Sequence, residues 1–220
     1  MSPLRFYRST IGKKIIMAVT GLIGIAFLIA HMAGNLQVFE GATKLNTYAH
    51  FLHGPANELL QVLRVVLIVA VLLHILMAWQ LTRRNRAARP EAYRQREPQV
   101  STLASRTMRW GGVLLLVFIV LHILHFTTLD IRPAGPIAAG DVFANVTKSF
   151  RIWWVTLFYL VAMLFLGLHL YHGAWSSVRT LGLRGPSPAP LVRRVGGVVA
   201  IIIAVGFALV PLAVFAGWVQ

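Results

Sequence analysis

Four long apolar stretches of this chain each carry histidine: His31 in the first, His74 in the second, His122 and His125 in the third, His169 and His172 in the fourth. An imidazole in hydrocarbon is costly and marks a functional site. One nitrogen donor from each of four helices makes two bis-histidine sites. The group that such sites hold inside a helix bundle is haem iron, so two b-type haems are expected. Zinc and di-iron sites want carboxylate or thiolate partners. No Asp or Glu falls within an apolar stretch, and the chain has no cysteine. That absence excludes disulfides, iron–sulfur ligation and thioether-attached haem from this chain.

The elements that must position these histidines are membrane spans. Of 220 residues, 57% are hydrophobic and only 12% are charged. A soluble domain of this size has no way to hide so much apolar surface. Five stretches approach the roughly 20 apolar residues that a span needs: 15–34, 59–81, 110–129, 152–175 and 195–218. Each is continuously apolar and far longer than a barrel strand, which predicts helices and an all-α integral membrane fold in a single domain. The first stretch is long and lacks a small-residue cleavage site after it, so a retained signal anchor is expected.

Charge orients the spans. Arg5, Arg8, Lys13 and Lys14 precede the first; Arg83, Arg84, Arg86, Arg89, Arg94, Arg96, Arg106 and Arg109 link the second to the third; Arg179, Arg184, Arg193 and Arg194 link the fourth to the fifth. Sixteen of the 21 basic residues therefore fall on one side, leaving Lys44, Arg64, Arg132, Lys148 and Arg151 on the other. The positive-inside rule puts the N-terminus in the cytoplasm and the C-terminus outside. The net charge of +15 thus reads as topology. Nucleic acid is a poor partner, because the cations sit in short links between spans. An acidic soluble protein is a better match for the basic loops.

Depth then pairs the histidines. With a rise of ~1.5 Å per residue, His31 lies ~24 Å up from the inner face, His122 ~18 Å and His125 ~22 Å. On the descending spans His74 lies ~12 Å from the inner face, His169 ~9 Å and His172 ~5 Å. An outer site from His31 with His122 or His125, and an inner site from His74 with His169, are predicted. His172 is too shallow. Gly21 and Gly24, Gly111 and Gly112, and Gly167 and Gly173 would let a flat ring approach the helices, although small residues also serve ordinary helix packing. The links 40–55 and 130–150 are each long enough for a short surface helix. Trp153, Trp154, Trp175 and Trp218 read as interfacial anchors. The segment 184–190 (RGPSPAP) reads as a stiff, helix-breaking link.

The motifs on this frame resemble a known family. Residues 9–21 (STIGKKIIMAVTG) followed by 31–36 (HMAGNL) are similar to the opening of the cytochrome b558 subunit of succinate dehydrogenases. Residues 106–112 (RTMRWGG) with 122–126 (HILHF) resemble its third span, and 169–176 (HLYHGAWS) with 180–182 (TLG) its fourth. The resemblance implies a five-helix, di-haem anchor of a bacterial cytoplasmic-membrane succinate:quinone oxidoreductase. It implies His74 and His169 as inner haem ligands, and His31 and His122 as outer ligands. Many relatives carry Gln where this chain has Arg179. The resemblance further implies a flavoprotein subunit and an iron–sulfur subunit docked on the cytoplasmic face, with menaquinone as the substrate quinone.

The mechanism expected is electron transfer from an iron–sulfur cluster to the inner haem, then the outer haem, then quinone. Bis-His ligation leaves no open coordination site, so the haems relay electrons and do not bind oxygen. Arg106, Arg109 and Arg179 are candidates for propionate contacts. Glu58, before the second span, is the candidate proton-handling group near Glu40, His50, His53 and Arg64. The competing classes are a fumarate reductase or hydrogenase cytochrome b anchor, and a haem-free, His-lined transporter. A bc-type cytochrome fits less well, because it places two ligands on each of two helices about four turns apart.

Overall fold

A computed structural model describes residues 2–88, 102–138, 140–183 and 189–220. Its helices are α1 (Pro3–Arg8), α2 (Thr10–Leu36), α3 (Ala42–His53), α4 (Asn57–Ala87), α5 (Leu103–Phe126), α6 (Val142–Phe150), α7 (Trp153–Thr180) and α8 (Ala189–Phe215), with a 3-10 turn at Gln37–Glu40. No strand occurs among the described residues. Helices α2, α4, α5, α7 and α8 are long and apolar enough to cross a membrane. The fold is therefore all-α and multi-pass. Lipid offers the backbone no hydrogen-bond partner, so each span satisfies its own N–H and C=O groups as a helix.

The helices alternate in direction. Lys13 bonds Gln80, and Thr20 lies against His74, which makes α2 and α4 antiparallel. Gly111 faces Phe165 while His125 reaches Tyr159, so α5 and α7 are antiparallel too. Gly167 sits by Ala204 and Gly196 by Trp175, which sets α8 against α7. Ser177, near the end of α7, lies by Gly21 in the first half of α2, so α8, antiparallel to α7, runs the same way as α2 and meets it where His31 packs on Phe207 and Met32 on Gly206. We call the end holding the N-terminus the N side and the other end the C side. Helix α7 is central, packing on α8, α5 and α2. One buried cluster fills mid-bundle around Leu115, Ala162, Met163, Leu166, Ala200 and Ile203. Another closes the C side around Val38, Val146, Phe150, Val155, Val210 and Val214. By contrast Leu59, Val62, Val65, Val66, Ile68, Val69 and Leu72 of α4 are exposed, the lipid-facing pattern that a soluble protein avoids.

Local chemistry sets the ends. Ser9 caps α2 by accepting from the Gly12 N–H at 2.8 Å. A Cβ at Gly12 would strike the Phe6 carbonyl, so the tight α1–α2 corner needs glycine there. Thr102 and Ser105 form a reciprocal capping box at the start of α5. Several helices outrun the expected spans on the N side, as α4 continues to Ala87 through Arg83, Arg84 and Arg86. Arginine is a good helix former, and its charge favours a helix C-terminus. On the C side α5 ends at Phe126, three residues short of expectation, because the chain turns at Leu129 with φ 60°. Helix α8 stops at Phe215 before the turn at Gly217, φ 77°.

Two expectations need correction. The link 130–150 does contain a helix, α6, but it is no surface helix: Asn145, Val146, Thr147, Ser149 and Phe150 are buried against the bundle. Its apolar and small polar residues fall on one face, which plugs the C side. The link 184–190 is shorter than expected, since α8 already begins at Ala189. Pro190 then falls in its first turn, where a missing N–H leaves no bond unmade. Arg89, Arg94, Arg96 and Arg184 lie outside the described residues, as do residues 185–188.

Candidate functional site

The four spans α2, α4, α5 and α7 bring four histidine rings into two pairs. Near the N side the rings of His74 and His169 have centroids 6.1 Å apart, tilted by 54°. Near the C side those of His31 and His122 are 5.9 Å apart and nearly perpendicular, at 83°. Metal–imidazole bonds of about 2 Å on each side of one ion place facing ring centres ~6 Å apart. Both gaps therefore fit one metal ion between two imidazoles. Among the described residues no group of three or more His, Asp, Glu or Cys side chains could hold a bare ion. Two imidazoles, with the remaining ligands supplied by a macrocycle, are the donor set of a bis-histidine haem.

The N-side pair is built from both flanks. His74 lies with Nδ1 3.1 Å from the Met17 carbonyl, to which it donates, and 3.2 Å from Thr20 Oγ1. The Thr20 hydroxyl itself donates back to the Ile16 carbonyl at 2.8 Å. A ligand imidazole held by a carbonyl through its other nitrogen has its ring plane and tautomer fixed, which leaves Nε2 for a metal. Opposite, His169 Nδ1 is buried and has no hydrogen-bond partner. An orphaned polar atom at that depth is costly. Gly21 lets His74 come close, since a Cβ there would stand 3.3 Å from His74 Cε1. At Gly112 a Cβ would meet His169 Cε1 at 4.0 Å, an ordinary contact, so a side chain is tolerated there. Gly24 and Gly173 face open space.

The C-side pair is enclosed by aromatic rings. His31 stacks on Phe27 and leans on Phe207; His122 contacts Phe118, Phe126 and Tyr159. The third-span ring opposite His31 belongs to His122. His125 is 4% exposed and has both nitrogens occupied, Nδ1 by the Tyr159 hydroxyl at 3.0 Å and Nε2 by Ser149 Oγ at 2.9 Å. His172 packs edge-on against Trp175, and Arg193 stacks over Trp175 and Tyr171.

The remaining sequence-predicted residues stand apart from the histidine pairs. Arg106 and Arg109 are exposed in the first two turns of α5. Arg179 is exposed in the last turn of α7, in a surface depression lined by Ile11, Lys14, Trp175, Ser176 and Thr180. None of the three arginines makes a hydrogen bond or ion pair with a histidine among the described residues. Glu58 is exposed in the first turn of α4, and His50 and His53 are exposed on the neighbouring α3. That C-side corner is tied down by Asn46, which donates to Asp141 Oδ1 and accepts from the Phe143 N–H, both at 3.0 Å. The Asp141 carboxyl is held below its ordinary range by the Ala144 N–H, then by Asn46, with Lys148 nearby.

Sequence reasoning missed Thr20, Tyr159, Ser149, Asn145 and Lys13. Lys13 is 3% exposed, bonds Gln80 and lies 4.1 Å from the Tyr7 ring centre. Tyr159 could have been found as a polar group inside an apolar span. Thr20 carried no such signal, because threonine commonly bonds its own helix backbone.

Comparison with known proteins gives one match. Residues 82–210 match the family described as succinate dehydrogenase/fumarate reductase transmembrane subunit. No curated protein and no solved structure matches the chain. The matched segment covers α5 and α7, and so contains His122 and His169, while His31 and His74 precede it.

Proposed function

The chain belongs to the succinate dehydrogenase/fumarate reductase transmembrane subunit family, and from that premise we propose that it is a di-haem cytochrome of the b558 type anchoring a succinate:quinone oxidoreductase. Its 220 residues act as one cytochrome b domain in a bacterial cytoplasmic membrane, N-terminus inside and C-terminus outside. The observation that carries the reading is the pair of matched gaps, 5.9 Å between His31 and His122 and 6.1 Å between His74 and His169.

In this reading His74 and His169 hold an inner b haem, and His31 and His122 an outer one. Haem held by these pairs would supply one-electron storage. The protein keeps the two pairs at different depths, and α7 and α5 hold them in one rigid frame. Arg106, Arg109 and Arg179 stand at the basic N side, where propionates and an acidic docking surface are the anions within their reach. A flavoprotein subunit and an iron–sulfur subunit dock on that side, so electrons enter there. They leave near the C side to a quinone, menaquinone by the family resemblance. Glu58 is the proton-handling group proposed there: it is exposed at the helix end and close in sequence to α3.

The test is succinate-dependent reduction of b-type haem in membranes containing the complex. Succinate should raise a b-type band, and His74→Ala should abolish it without removing the flavoprotein. A band indifferent to both succinate and fumarate would refute the assignment. The quinone step is read separately, through succinate:menaquinone turnover.

A further inference from the structure

Between α5, α6 and α7 runs a closed chain of polar side chains that electron relay by itself does not need. Ser149 is 0% exposed, His125 4%, Asn145 6% and Tyr159 7%, so water has no access to these groups. Buried polar groups of this kind must satisfy one another. Their order gives the chain a direction.

Asn145 Nδ2 donates to the His125 carbonyl at 3.4 Å, which turns Oδ1 the other way. Ser149 Oγ donates to that oxygen at 3.2 Å. The serine's single proton is then used, so its 2.9 Å contact with His125 Nε2 is one in which the histidine donates. A neutral imidazole carries one N–H, and a charged one would be costly at this burial. His125 Nδ1 therefore accepts, and the group 3.0 Å away that donates to it is the Tyr159 hydroxyl. Tyr159 has no second proton. The neighbour left to it is His122 Nδ1 at 3.5 Å, and between these two the histidine donates. This order puts the His122 proton on Nδ1 and leaves the lone pair on Nε2.

We propose that Tyr159 is a positioning residue for His122: its hydroxyl oxygen accepts from Nδ1, and the buried chain Asn145–Ser149–His125 points that oxygen the right way. The inference rests on the reading of His122 as a haem ligand. It also gives His125 a role as the link that orders the tyrosine proton. The N-side site has a different arrangement, since His74 donates to a backbone carbonyl at 3.1 Å. An acceptor on the far nitrogen makes an imidazole a stronger donor to iron. A stronger donor favours the ferric state, so Tyr159 lowers the potential of one haem and leaves the other alone.

The test is a potentiometric titration of the purified complex, with low-temperature electron paramagnetic resonance on the same samples. Tyr159→Phe keeps the ring that packs edge-on against Phe118 and Phe150, at 5.2 and 4.9 Å. It should retain both haems and move one of them toward the ferrous state by about tenfold, about 59 mV for one electron, with that haem's resonance altered. The moving haem should be the one lost in His31→Ala. Ser149→Ala should move the same haem in the same direction by less, and it carries the test if Tyr159→Phe loses haem. Unmoved potentials, or both potentials moving together, would overturn the proposal while leaving the di-haem reading intact. A wild-type complex without a second haem would overturn the di-haem reading, and this inference with it.

Discussion

Leucine at position 21 should expel the haem held by His74 and spare the one held by His31. A Cβ at Gly21 would stand 3.3 Å from His74 Cε1, 3.7 Å from its Nδ1 and 3.8 Å from Ser177 Oγ. Alanine fits there with a shift of a few tenths of an ångström, but the further carbons of leucine do not. His74 must then swing away from the Met17 carbonyl, breaking a 3.1 Å hydrogen bond. Overpacking of this kind costs about 1–3 kcal/mol, and an unmade buried hydrogen bond about as much. A combined cost near 3 kcal/mol weakens haem retention roughly a hundredfold. The assay is haem per chain in the purified protein, measured for Gly21→Ala and Gly21→Leu beside wild type. Wild type should hold two haems, Gly21→Ala nearly two and Gly21→Leu one. Two haems with unchanged spectra in Gly21→Leu would show that the Gly21–His74 contact does not shape the site, and the argument from close approach would fail.

Three further outcomes are expected. Glu58→Gln should lower quinone-linked turnover and leave haem spectra unchanged; unchanged turnover removes Glu58 from the mechanism. Asp141 has a lowered folded pKa, so its contribution to stability is present above the ordinary carboxylate range, near pH 4, and is lost as pH falls through the lower folded value. Asp141→Ala should accordingly loosen α6 by about 1 kcal/mol as a lost N-cap, read as faster amide exchange at Ala144, while Asp141→Asn keeps most of the protection. A side chain at Gly206 would drive into the Met32 sulfur, so Gly206→Leu should lower the melting temperature in detergent; an unchanged melt would count against the tight α2–α8 crossing.

Much of the architecture was legible in the sequence because membrane spans obey a blunt rule. Continuous apolar runs of about 20 residues have to be helices, and alternating basic loops order them. The histidine levels were legible for the same reason, since helical rise converts sequence position to depth. Depth alone does not choose between His122 and His125. The side of the helix each one faces decides between their contacts, and that depends on α6. Helix α6 was expected on the surface because its polar residues, Asn145, Thr147 and Ser149, look solvated in sequence. They are buried because His125 and the helix's own carbonyls satisfy them. The hold on His74 was equally hidden: its partners Met17 and Thr20 lie more than 50 residues away on another helix. No local pattern reports a carbonyl that accepts from a distant ring.

The measurement that bears most directly on the central claim is haem content with a dithionite-reduced minus oxidised spectrum, taken on the purified wild-type protein and on four alanine variants. The account predicts two b-type haems per chain in wild type. His74→Ala and His169→Ala should each lose the same haem, and His31→Ala and His122→Ala the other, while His125→Gln keeps both. Absence of haem from wild type, or losses that cross these pairs, would contradict it.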